Sequence, residues 1–328
     1  MLLADDVIKA LPNGGINWTQ GIIYAEGYGI GPTDRIAVQR KLMAERAAVV
    51  DAQRNLLEIT KGVKINSVLE TGTAMQESRT TISRVEGVIK GARIIKRNYQ
   101  NQIASVTLMM PIAGNFLKIF VPSAQQYSLI APIAPRYILP KTAALNPLKH
   151  TAGYILEGFI NQLVPQAHAS DPLIIRKDAE NAAYKKLVEW ISHSPDQNID
   201  QMLQEAIQNY ETNSQFSGLL IDASSVAGFE LATIPKIRDQ DGNILYPNAR
   251  TSYDDIVNKR GVTYDFDLSD AIKNNRVATS PFIIKALSTY KNLTSDLIIT
   301  TEDATRVKQS PSTLEAMQKA GVLIVVAI

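Results

Sequence analysis

Residues 33–62, TDRIAVQRKLMAERAAVVDAQRNLLEITKG, make the longest uninterrupted helical pattern in the chain, and the segments around it read as a sheet built against it. No Gly or Pro interrupts 34–61, good helix formers predominate, and Gly62 can take the left-handed conformation that closes a helix. Leu42, Val49 and Leu56 repeat at intervals of seven and Ala44, Ala48 and Ala52 at intervals of four, so one side is apolar and partly very small. Small side chains let a helix lie close to a sheet. Arg35, Arg40, Lys41, Glu45, Arg46, Asp51, Arg54 and Glu58 occupy the remaining positions, with Arg54 and Glu58 at helix-neighbour spacing. These residues specify a scaffold and no chemistry.

Around that helix the order is strand, helix, strand, helix, hairpin. Residues 16–29, INWTQGIIYAEGYG, read as one strand that runs into a turn at Gly27, Gly29, Gly31 and Pro32 and then into the helix. Residues 63–68 alternate apolar and polar as a short half-buried strand, 71–73 form a turn, and 77–90 place Ile82, Val85, Val88 and Ile89 on one helical face. Runs at 92–99 and 102–112 flank a turn at Gln100-Asn101.

Composition shifts beyond Phe116, where Pro122, Pro132, Pro135, Pro140, Pro147 and Pro165 interrupt short apolar runs and favour an extended, packed connector. Helices are expected at 154–164, at 171–191, opened by Asp171-Pro172, and at 199–210. A new unit begins with the strand-length run FSGLLIDA at 216–223. Residues 236–238 and 243–246 flank Asp239, Gln240, Asp241 and Gly242, which is hairpin chemistry. Short helices are expected at 254–259, 268–273 and 312–319, and strands at 282–289 and 297–301. The closing run VLIVVAI, 322–328, is apolar on both faces and should be a central strand covered on each side.

The chain of 328 residues can thus bury a real core in two or three domains. Its 34 Lys and Arg against 32 Asp and Glu leave a net charge of +2, which argues against a dedicated nucleic-acid binder. With no cysteine, disulfides, thiolate metal sites, Cys nucleophiles and acylated Cys anchors are excluded. The opening MLLADDVIKALPNGG has a very short apolar run and no basic flank, so it is not an intact signal peptide, though it is compatible with the remnant of one. No apolar run approaches the length of a membrane-spanning helix.

Each hint of a reactive or binding motif yields to a plainer account. Gly27, Gly29 and Gly31 follow a strand and precede a helix, but Pro32 breaks the dinucleotide-binding spacing and no acidic residue closes a second strand. Asp239, Asp241 and Gly242 resemble the start of a calcium loop, yet the glycine is fourth where such a loop needs it sixth. Asp265, Asp267 and Asp270 lack a further ligand and read as caps and loop charges. Ser288 and Lys291 match Ser-x-x-Lys without its partner motifs. His150, His168 and His193 stand apart in sequence and read as surface residues. No catalytic, cofactor-binding or metal-ligating residue is assigned, and no cofactor is expected.

Two sets of ordered blocks carry a family resemblance. MAERAAVVDAQRNLLEITKGV at 43–63, VEGVIKGARII at 85–95 and the VTLMMPI strand form the first; SGLLIDA from Ser217, PKIRDQDGNILY from Pro235, RVATSPFIIKA from Arg276 and SDLIITTEDATRV from Ser295 form the second. Together they resemble the bacterial outer-membrane lipoprotein (LPP-type) family that includes the N-terminal part of the flagellar assembly protein T. The resemblance implies a non-enzymatic cell-envelope protein, periplasmic and associated with the outer membrane. It also implies a structural or assembly role beside a motility or secretion machine, with other envelope proteins as partners and a homo-oligomer or ring as one arrangement. Lacking any Cys, this chain would attach through partners. A periplasmic ligand-binding module, with its site in the cleft between the first and last domains, is the alternative.

The expected fold is α+β, two mixed α/β domains with sheets packed by helices. Residues 1–15 form an N-terminal tail, 16–115 the first domain, 116–170 a Pro-rich connector, 171–214 a helical segment and 215–328 the second domain.

Overall fold

The computed structural model describes residues 6–137, 215–277 and 280–327. Its described residues form an α+β protein with two sheets. The helices expected at 154–164, 171–191 and 199–210, and the three histidines, lie outside the described residues.

The first sheet is antiparallel throughout, in the order β1 (Ile8–Leu11), β2 (Gly14–Asn17), β3 (Ile22–Ile30), β5 (Ile103–Pro111), β4 (Arg93–Gln100). The run 16–29 is therefore two strands and not one, and the sheet takes in residues that the sequence assigned to a tail. The cause is a turn between Asn17 and Gly21. Asn17 Oδ1 accepts from Gln20 N at 2.8 Å, and Gly21 sits at φ +69°, where a side chain is disfavoured.

Helix α1 (Ala37–Lys61) lies across this sheet with Ala44, Ala48, Ala52, Leu56 and Ile59 buried. The alanine row, rather than the seven-residue row, faces the sheet: Leu42 is 49% exposed, and of the spaced leucines and valine only Leu56 is buried. Gly27 and Gly29 do not form the turn expected of them. Both lie inside β3 on the face toward α1, alternating with outward Tyr28 and Ile30. A Cβ on Gly27 would stand 2.1 Å from Ala52 N, one on Gly29 2.2 Å from Ala44 O, and one on Gly31 2.1 Å from Arg40 O. Backbone thus rests on backbone, and two complementary rows of small residues set the helix-to-sheet distance.

Past α1, residues 63–70 form a loop with a single bridge, Lys64 to Glu70, where a strand was expected. Asn66 Oδ1 accepts from Val68 N and Leu69 N, both at 2.9 Å, and bends the chain back. Thr71 opens helix α2 (Thr71–Glu77) in place of the expected turn, and α3 (Arg79–Lys90) follows, capped by the Ser78 hydroxyl. The hairpin turns at Asn101-Gln102, one residue later than expected, both at positive φ. The described start of the connector contains a 3-10 turn, Leu117–Ile119, and helix α4 (Ala124–Ile130), capped by Ser123 and Gln126. Proline there separates short elements and does not prevent them.

The second sheet runs β8 (Ile244–Tyr246), β7 (Ile237–Arg238), β11 (Leu293–Ile299), β10 (Pro281–Tyr290), β6 (Gly218–Ala223), β12 (Val322–Val326), β9 (Thr263–Asp265). Strands β10, β6, β12 and β9 are mutually parallel. The Asp239 turn joins β7 to β8, with Asp239 Oδ1 accepting from Asn243 N at 2.8 Å and Gly242 at φ +87°. Helices α5 (Tyr253–Lys259), α6 (Leu268–Ala271) and α8 (Pro311–Gln318) stand close to where the pattern put them. Helix α7 (Thr301–Lys308) and strand β9 were not foreseen; Thr301 begins a helix where a strand end was expected. Thr300 caps that helix by accepting from Asp303 N at 2.9 Å, and Glu302 and Asp303 favour its first turn.

Strand β12 is buried at every residue. Val322, Ile324 and Val326 join the large core that also holds Ala48, Leu56 and Leu108 of the first region, while Leu323 and Val325 meet Leu220, Ala271, Ile272 and Val277 on the other side. This is the two-sided cover that a continuous apolar run requires.

Candidate functional site

The two regions meet along a polar seam. Thr233 N donates to Lys64 O at 3.0 Å, Ile234 N to Ile65 O at 2.8 Å and Gly114 N to Val257 O at 2.7 Å, so the loop after α1 and the end of β5 are stitched to the second region by main chain. Lys64 pairs with Glu230, and the Ser67 hydroxyl donates to Asp296.

Arg260 stands at the centre of that seam. It follows α5 at φ +67°, uncommon for a residue with a side chain, and is 6% exposed. Its Nη1 donates to Trp18 O at 2.6 Å; its Nη2 donates to Thr19 O at 3.1 Å and to Thr263 Oγ1 at 3.0 Å. The guanidinium lies against Gly21, where a Cβ would come within 2.4 Å of Arg260 Cζ. Trp18 in turn meets Tyr264 edge-on, with ring centroids 5.9 Å apart. The β2–β3 turn is thus a fitted seat for one arginine.

Arg276 lies beside it. Its Nη2 donates to Lys259 O at 2.6 Å and to Arg260 O at 3.0 Å, tying down the carbonyls at the end of α5. Its Nε is buried with no hydrogen-bond partner. Burial first, and then the neighbouring Arg276 charge, pulls the Arg260 guanidinium down to about 10, and burial likewise lowers Arg276. Both remain cations at neutral pH.

Two depressions flank the end of α5. Asn258 lines an open cleft of about 940 Å³ whose other walls include Arg84, Arg93, Phe116 and Lys118. The next residue, Lys259, lines a smaller cavity of about 300 Å³ with Arg260, Thr263, Asn274, Arg276 and Lys319. Among the described residues, neither lining contains a carboxylate.

A different surface lies at the far edge of the first sheet. Strand β4, RIIKRNYQ, is exposed at every residue but Tyr99, pairs among the described residues only with β5 and carries Arg93, Lys96 and Arg97 with no acid. A bulge at Ile95 interrupts its register, and Ile95 is 55% exposed. The uncovered sheet face nearby presents Tyr28, Ile30 and Ile103, with Ile30 directly opposite Ile103.

The residues weighed in sequence take structural places. Asp267 caps α6 through Ser269 N at 2.6 Å, and Asp265 accepts from Phe266 N at 2.8 Å with its carboxyl raised by burial. Ser288 lies in β10, and Lys291 sits at positive φ in the following turn. Among the described residues no group of three or more His, Cys, Asp or Glu could hold a metal ion, and no helix is long and apolar enough to cross a membrane. Arg260 and Arg276 were missed because neither follows a pattern: what buries Arg260 is the pair of carbonyls at Trp18 and Thr19, remote in sequence.

Comparison with known proteins touches the second region. Residues 218–327 are similar to the second domain of Treponema pallidum Tp0624. No curated protein matches the chain. The Tp0624-like segment spans β6 to β12 and so contains the whole second sheet, with Arg260, Arg276 and the 300 Å³ cavity inside it. The seat for Arg260 at Trp18 and Thr19, and the exposed strand β4, lie outside that segment.

Proposed function

We propose that this chain is a non-enzymatic component of the bacterial cell envelope, periplasmic and associated with the outer membrane, which serves a motility or secretion assembly by holding a partner protein along β4. The observation that carries the reading is the edge of β4, unpaired among the described residues: eight residues long and basic, it can take one more strand. Unpaired backbone groups on such an edge bind an extended segment by β-augmentation, with the affinity coming from main-chain hydrogen bonds. Arg93, Lys96 and Arg97, with Arg84 and Lys118 in the adjoining cleft, favour an acidic segment. The envelope setting rests on the resemblance of the ordered sequence blocks.

Fractionation of native envelopes tests the two parts separately. The protein is expected in the envelope fraction within a large complex, and a folded Lys96→Glu/Arg97→Glu variant is expected to leave it. Recovery of the parent only from cytosol overturns the envelope setting; retention of the charge-reversed variant in the complex overturns the role of β4.

The open cleft beside Asn258 supports a second reading, a ligand-binding periplasmic module, since about 940 Å³ lies within the usual range for small-molecule sites; its walls belong to the first region, with Asn258 at its border with the second. A ligand there would raise the melting midpoint by mass action, which a thermal-shift screen detects.

A further inference from the structure

We propose that the cavity between the end of α5 and the start of β12 is a binding site for a phosphate-type dianion. The inference does not rest on the role given to β4. Four cations, Lys259, Arg260, Arg276 and Lys319, line about 300 Å³, together with the amide of Asn274. The two lysines already have partners on their own helical turns, Asp255 at 2.7 Å and Glu315 at 2.7 Å. Neither arginine is paired with a carboxylate among the described residues.

An arginine cannot shed its proton to escape burial, so an uncompensated buried guanidinium is stabilised only by hydrogen bonds and by a counter-charge. Arg260 satisfies most of its donors on Trp18, Thr19 and Thr263, but those acceptors are neutral. Arg276 uses Nη2 on two carbonyls and leaves Nε buried and unpaired. A buried N–H without an acceptor is costly, so the cluster is not fully satisfied by the protein's own groups. Asp255 acts electrostatically on Arg276, but among the described residues no carboxylate lines the cavity itself; four cations around it suit a doubly charged oxyanion better than a monocarboxylate, and guanidinium groups bind phosphate oxygens in pairs. The depression, of about 300 Å³, has room for inorganic phosphate or the phosphate group of a small monoester.

Asn274 provides a substitution that separates this site from a merely structural cluster. Its Oδ1 accepts from Arg276 N at 3.0 Å, and Asn274→Asp keeps that acceptor while adding the missing negative charge. The full chain, freed of phosphate, is titrated calorimetrically at constant ionic strength with inorganic phosphate, glycerol 3-phosphate and acetate, and each addition is repeated in a thermal melt. Saturable binding of phosphate, with a raised melting midpoint and no response to acetate, is expected. Asn274→Asp should weaken phosphate binding at least about tenfold, the worth of one charge-assisted contact, and raise the midpoint of the phosphate-free protein. Lys319→Gln, on an exposed side chain, should weaken binding and leave the phosphate-free midpoint unchanged. Glycerol 3-phosphate binding as tightly as phosphate assigns the site to a monoester, and binding of phosphate alone assigns it to the free ion. Absence of saturable binding, an equal response to acetate, or an Asn274→Asp protein that is neither stabilised nor impaired in phosphate binding overturns the proposal.

Discussion

The two regions invert each other's surfaces. The first exposes large apolar side chains, among them Tyr28, Ile30, Val38, Val50 and Ile95, and its one buried charged residue is Asp6. The second buries Arg238, Asp239, Arg260, Asp265 and Asp296, while its exposed large apolar side chains are Leu268 and Leu287. An antiparallel sheet covered on one face can leave the other face and an edge to a partner, whereas parallel strands covered on both faces cannot. Charged groups within the second region must therefore be satisfied internally or by something bound. On the proposed reading, surface recognition falls to the first region and internal electrostatics to the second.

Breaking the internal electrostatics should have the largest effect. Arg238 Nε and Nη2 both donate to Asp296 Oδ2 at 2.8 Å, and the Arg238 guanidinium lies over the Tyr290 ring at 4.5 Å. Asp296 also accepts from Ser67, so the pair helps to join the regions. Asp296→Ala leaves a buried cation without its partner and should cost about 3–5 kcal/mol. Equilibrium denaturation measures it; a cost under about 1 kcal/mol, in the range of an exposed pair, would remove the contrast between the regions.

The corresponding weakness of the first region is steric. Gly27→Val places a branched side chain where even a Cβ meets the Ala52 backbone, and no rotamer relieves a contact between two main chains. It should cost at least the upper end of the usual ~1–3 kcal/mol for overpacking, and Ala48→Leu should fall within that range. Arg54→Glu, on an exposed position of the same helix, should change stability by less than about 0.5 kcal/mol. Arg40 is a poorer control, because it bonds Thr33 O, Arg35 O and Gln102. Denaturant midpoints of these variants decide it; a neutral Gly27→Val would mean that α1 does not rest on β3.

How far the sequence could be read follows from the same contrast. Patterning within one element identifies α1, the β4–β5 and β7–β8 hairpins and the buried β12, because the signal lies in consecutive residues even where the packing partners are remote. It also places the small residues of β3 and of α1 separately, but only their packing reveals that Gly27 and Gly29 answer Ala48 and Ala52; taken alone, the glycines read as a turn. Strand β9 has three residues, too few for any alternation to register. The cationic cavity was hidden for a stronger reason. Arg260 and Arg276 look like surface residues beside Gly and Asn; the burial of Arg260 depends on the distant turn at 18–21, and half-buried Arg276 is held by the Lys259 and Arg260 carbonyls. Glu58 shows the same limit on a small scale, since it pairs with Lys61 and not with Arg54.

The smallest effect is expected at Lys64 and Glu230, where the seam between the regions is open to solvent. The hydrogen bond from Lys64, and next that from the Thr294 hydroxyl, holds the Glu230 carboxyl below its ordinary range. Because the folded-state value is depressed, the stabilisation is present above the unfolded glutamate value of about 4.3 and is lost as pH falls through the folded one. Glu230→Gln keeps an acceptor for Thr294 and removes only the charge. With the Glu230 side chain 50% exposed, solvent screening should limit the loss at pH 7 to well under about 1 kcal/mol. The gap between parent and variant should close when pH drops below the glutamate range, and at neutral pH it should also close in about 1 M salt, where exposed charges are screened within a few ångströms. Urea midpoints at pH 7 and pH 3, with and without salt, provide the comparison. A gap that persists unchanged in acid and in salt would show that the ion pair contributes nothing to the join, leaving it to the main-chain bonds from Thr233 and Ile234 to Lys64 and Ile65.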